Sequence, residues 1–94
     1  MPDDAATTKL VRRLSRYLRD NPLASDTPEG IARWWLQMDW VTNGRHLDEA
    51  IARLMSSGCV EGVRGPDGRV RYRRVQADGV AGILAALSDE PSRR

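Results

Sequence analysis

The sequence predicts a mainly α domain carrying a β-hairpin, an α+β class. Three observations predict it. Apolar residues recur at helical spacing near the N-terminus and again over residues 45–57. Two strand-like segments, 59–64 and 69–75, flank the turn residues Gly65-Pro66-Asp67-Gly68. A further apolar segment, 76–88, follows them. A chain of 94 residues makes one domain. A domain this small buries only about 60% of its unfolded surface, so bulky anchors matter. With no Phe, those anchors are Tyr17, Trp34, Trp35, Trp40 and Tyr72.

Residues 1–7 are polar and acidic and read as disordered. From about Thr8, Leu10, Val11, Leu14, Tyr17 and Leu18 fall on one helical face. Lys9, Arg12, Arg13, Arg16 and Arg19 take the other. Asn21-Pro22 ends this first helix, because the residue before proline is pushed out of the helical region. Thr27, Pro28 and Glu29 then suit the N-cap, the first position and the first turn of a second helix. It carries Ile31, Trp34 and Trp35 and reaches Leu36 or Gln37. A helix this short cannot turn both tryptophans fully inward, so one of them should be partly exposed.

A loop is expected over 37–43, with Trp40-Val41 able to form a short first strand and Asn43-Gly44 as a turn or cap signal. The third helix follows from about Arg45, burying Leu47, Ile51 and Leu54, and stops at Gly58. In the second hairpin strand Val70 and Tyr72 alternate with Arg69, Arg71 and Arg73. The last helix, with Asp78 as its cap, stripes Val80, Ile83, Leu84 and Leu87. It has no charge from Gly79 to Ser88. Residues 89–94 are a charged tail.

Over residues 8–75 the chain resembles the winged helix-turn-helix superfamily. The resemblance rests on Thr27-Pro28-Glu29-x-Ile31, on Leu47, Ile51, Leu54 and Gly58 through the third helix, and on Gly68-Arg69-Val70-x-Tyr72-Arg73. The stretch 24–36, with Trp34-Trp35, also looks like small bacterial winged-helix proteins that are mostly uncharacterised. The resemblance implies a winged helix with an extra C-terminal helix. It implies a third helix that enters the major groove of DNA and a wing that touches the adjacent backbone. The DNA-contacting residues would then be Arg45, His46 and Arg53 on the helix, with Arg64, Arg69, Arg71 and Arg73 on the wing.

The charge pattern bears on that implication in two ways. Over 61–74 five arginines face two acids, a surplus that fits phosphate contact and exceeds what edge protection needs. The alternative is a solvated strand face. Over 45–57, however, Arg45 and Arg53 are balanced by Asp48 and Glu49. Acidic groups there oppose phosphate binding. The expected function is therefore non-enzymatic DNA binding in transcription regulation, with a protein-interaction adaptor or assembly subunit as the alternative. For the adaptor, Trp34 and Trp35 are candidate anchors, since exposed Trp is enriched at binding hot spots. Val80, Ile83, Leu84 and Leu87 either fold back on the first helix or pair with a symmetry mate. The small residues between them lean the reading towards a homodimer.

One cysteine, Cys59, allows no internal disulfide and no cysteine zinc site. His46, Asp48 and Glu49 lie too close on one helix to converge as a metal or acid–base site. No cofactor, no metal and no catalytic residue is expected. No run reaches the roughly 20 apolar residues of a membrane span, and no apolar signal core opens the chain. The expected location is the cytoplasm.

Overall fold

The computed structural model describes residues 2–88. It is an α+β fold of four helices and one three-stranded antiparallel sheet.

Helix α1 spans Pro2–Asp20. It begins several residues before the expected Thr8, so within the described residues the segment read as disordered is helical. Thr7 is fully buried, and its hydroxyl donates to the Glu49 carboxylate at 2.9 Å. That tertiary partner is invisible in a polar stretch of sequence. Leu10, Val11, Leu14 and Leu18 form the buried face, as their spacing predicts. The helix ends before Pro22, where the Asn21 amide still donates to Tyr17 O at 2.8 Å.

Strand β1 is only Ser25–Asp26. It leads into helix α2, a turn of α-helix at Pro28–Gly30 that widens into a π-helix at Ile31–Trp35. The Thr27 hydroxyl accepts the Gly30 amide at 3.2 Å as N-cap, and Asp26 Oδ1 accepts the Thr27 amide at 2.7 Å. At Gly30 the Asp26 carboxylate occupies the space a Cβ would take, so a larger residue there must displace it. The chain leaves α2 at Gln37, whose φ is 52°.

Helix α3 spans Trp40–Ser56, starting five residues before the expected Arg45. Asp39 caps it, accepting from the Val41 amide at 3.3 Å and from the Thr42 hydroxyl at 2.7 Å. Trp40-Val41 is therefore helical, and the first strand lies at β1 instead. Asn43-Gly44 sits inside the helix, with the Trp40 indole against Gly44, where a Cβ would come to 3.3 Å. The far end matches expectation. Gly58 has φ +79° and the Cys59 amide closes back on Leu54 O at 3.0 Å.

Strands β2 (Val60–Arg64) and β3 (Val70–Arg74) form the expected hairpin, and β1 pairs on the other side of β3. The sheet order is β1-β3-β2. Helix α4 spans Val80–Ser88, shorter than the expected 76–88. Gly79, with φ +91°, precedes it, so Asp78 stands in the turn before the helix rather than at its cap. Helix α4 packs on α1 and belongs to the core, with Val80 and Leu84 buried among Leu10, Leu14 and Leu18. Ser88 is also buried and its hydroxyl takes a bond from Arg19 Nη1 at 3.0 Å. Core completion thus accounts for two of the four residues read as a dimer stripe. Of the others, Leu87 is half-buried and Ile83 stays exposed.

Candidate binding surface

The hairpin keeps its basic excess, but most of its arginine side chains are engaged within the protein. Arg71 makes a two-point contact with Asp67, Nη2–Oδ2 at 3.1 Å and Nη1–Oδ1 at 3.3 Å. The hydrogen bond from Arg71 holds the Asp67 carboxyl below its ordinary range, helped by the Arg69 amide. Arg73 Nε donates to Glu61 Oε2 at 2.8 Å across the strand pair Glu61↔Arg73. Arg64 Nη1 donates to Gly68 O at 2.9 Å within the hairpin. Arg74 Nη1 reaches back to Leu18 O at 3.4 Å. Among the described residues Arg69 is the wing arginine whose side chain has no bonding partner.

Helix α3 carries the remaining candidates. Arg53 is exposed, and its Nη1 donates to the Thr8 hydroxyl on α1 at 3.2 Å. His46 is half-buried, with Nδ1 enclosed and without a partner among the described residues. Arg45 is exposed. The outward stripe, at helical spacing, is Val41, Arg45, Asp48, Ala52 and Met55. Its single basic and single acidic residue cancel, and the rest is apolar.

The two adjacent tryptophans part company. Trp35 is half-buried and stacks on Tyr17, ring centroids 4.7 Å apart and planes 10° apart. Trp34 points out with 67% of its surface exposed. The Arg33 guanidinium carbon lies 5.5 Å from the Trp34 ring centroid. Val41 is 89% exposed at the start of α3. The sequence suggests a short strand at Trp40-Val41 and gives no sign that Val41 lies exposed at a helix start. The Asp39 cap, an acidic residue three before Thr42, was the signal available to correct it.

Two grooves meet at this end of the molecule, sharing Glu29 and Trp40. One, of about 340 Å³, runs between the start of α2 and the hairpin, past Pro28, Trp40, Arg69, Val70 and Tyr72. The other, of about 460 Å³, lies between α2 and α3 and takes in Arg33, Met38 and Val41. A larger hollow of about 560 Å³ lies elsewhere, between α1, α3 and α4. It gathers no set of groups suited to catalysis. Among the described residues no three His, Cys, Asp or Glu side chains group to hold a metal ion. No helix there is long and apolar enough to cross a membrane. Cys59 is buried at the start of the hairpin, and burial pushes its thiol pKa up against the opposing effect of Arg74.

Compared with known families, curated proteins and solved structures, the chain matches none. The reading of its function therefore rests on the arrangement of its own residues.

Proposed function

We propose that this chain is a winged helix-turn-helix module with an extra C-terminal helix, and that it acts as a non-enzymatic adaptor binding a partner protein. The element order α1-β1-α2-α3-β2-β3 and the sheet order β1-β3-β2 support the winged-helix reading. The binding face is the one where α2, the start of α3 and the hairpin meet. The observation that carries the adaptor reading is Trp34, exposed to 67% beside Arg33. A small domain with no Phe and few aromatics otherwise keeps such groups for its core. The neutral, partly apolar outward stripe of α3 supports the same reading.

Purification of tagged wild type and Trp34→Ala from the native cell tests it, followed by reconstitution with the purified partner. A stoichiometric partner that Trp34→Ala loses, while the variant keeps the wild-type melting curve, supports the adaptor. A partner retained equally by both proteins removes Trp34 as its anchor and the reading with it.

Duplex DNA is the second reading, favoured by Arg45 and Arg69, which face solvent without acidic partners. Anisotropy against random duplex across salt separates the two. Each phosphate contact contributes about 0.9 to the slope of log affinity against log salt. Two available arginines predict a slope of about 2, well short of a typical specific regulator.

A further inference from the structure

The hairpin leaves the outward main-chain groups of Val70 uncovered by β1, beside the groove at Trp40. In an antiparallel pair, residues facing each other alternate between those that exchange hydrogen bonds and those that do not. The Val75 amide donates to Cys59 O and the Gly65 amide to Arg69 O, each at 2.8 Å. The register Val63↔Arg71 and Glu61↔Arg73 lies in phase with those pairs. Val70, Tyr72 and Arg74 therefore turn their amides and carbonyls away from β2, towards the β1 side. Tyr72 meets Asp26 there. Carried one step further, the same register sets residue 28 opposite Val70. Residue 28 is Pro28, which has no amide and has already entered α2. Strand β1 stops two residues short of covering β3.

We infer that an extended segment of a partner protein pairs with Val70 in line with β1, donating to its carbonyl and accepting from its amide. This identifies the kind of contact made at the adaptor face and rests on that reading. The paired segment sets one bulky apolar side chain into the groove formed by Pro28, Trp40 and Tyr72. Charge complementarity specifies its flanks. Arg69, without a side-chain partner, takes a carboxylate, and Glu29 on the same groove takes a cation. The occupant is thus an extended peptide with an acidic residue on one side of an apolar anchor and a basic or neutral one on the other. Main-chain pairing provides affinity and the groove provides selection, as in other strand additions to an exposed sheet edge.

The test is a random octapeptide library displayed on phage and panned against the full chain. Enriched peptides are then synthesised with a fluorophore and measured by anisotropy. The expected result is enrichment of a bulky apolar residue next to Asp or Glu. Val70→Pro removes the outward amide, which takes no part in the β2 ladder, together with the valine side chain, and binding should fall about tenfold. Val70→Ala keeps the amide and should retain most of the binding. Arg69→Glu should shift the enriched flank from acidic to basic. Hydrogen exchange on the wild-type protein needs no variant: the Val70 amide should become protected when peptide is added. Three outcomes overturn the inference: no enriched peptide, binding unchanged in Val70→Pro, or a Val70 amide whose exchange the peptide leaves unchanged. A dimer that Val70→Pro dissociates would show a second copy as the occupant and also overturn it. If a native partner is lost on Trp34→Ala but not on Val70→Pro, the adaptor reading stands and this inference alone falls.

Discussion

Tyr17 on α1 and Trp35 on α2 lie face to face, with ring centroids 4.7 Å apart. This stack ties the two helices together at the point where Arg13 Nη2 also donates to Leu36 O at 2.6 Å. It explains why neighbouring tryptophans take opposite roles. Trp35→Ala should lower unfolding stability by about 3 kcal/mol, the usual range for losing a large packed aromatic. Trp34→Ala should stay within about 0.5 kcal/mol. Urea denaturation followed by far-UV circular dichroism checks both, and equal losses would refute the division.

Gly30 and Asp26 form a second mutual dependence. Gly30→Ala puts a methyl group into the Asp26 carboxylate and should cost about 1–3 kcal/mol through forced displacement. Asp26→Ala loses the bond to the Thr27 amide. The double variant should be more stable than the sum of the two losses allows, because removing the carboxylate clears the methyl group's space. Strict additivity in thermal melts would show that the two residues are not coupled.

Asp67 gives the hairpin a pH dependence of known sign. Its folded pKa is depressed by the Arg71 hydrogen bond and then by the Arg69 amide. The stabilisation is therefore present above the ordinary carboxylate range and is lost as pH falls through the lower folded value. Both groups are exposed, so the effect is local to the turn. NMR titration of the Asp67 carboxyl should give a midpoint below that of a model aspartate, and Arg71→Ala should raise it. An unchanged midpoint in the variant would contradict the contact.

Cys59 behaves in the opposite direction. Burial raises its folded pKa, so the neutral thiol is the form that folding favours. Its contribution to stability is complete below the unfolded thiol pKa and declines as pH rises through the folded one. The folded protein should react with a thiol reagent at neutral pH much more slowly than the urea-unfolded chain. Similar rates in both states would mean that the thiol is accessible.

Much of this architecture was legible from local signals. The hairpin followed from strict alternation in 69–73 and from turn residues between the strands. The buried stripe of α3 and its stop at Gly58 followed from helical spacing and a left-handed glycine. The start of α3 was misread because Asn43-Gly44 resembles a turn, whereas Asp39 had already capped the helix. Strand β1 carries no periodicity in two residues and exists because β3 offers it an edge.

The sequence by itself determined the hairpin, the buried stripes of the long helices, the neutral balance of the third helix and the limits on cysteine and histidine chemistry. These depend on residue identity and on spacing within one element. Tertiary structure decided which charges remain available and which apolar groups remain exposed. Arg73 is paired with Glu61 because the strand register sets the two opposite each other. Val80 and Leu84 leave the surface because α1 covers them. Trp34 stays outside because the Tyr17 ring has taken Trp35. Each of these outcomes requires two elements to meet, and the energy of a side chain's placement depends on the partner it meets there.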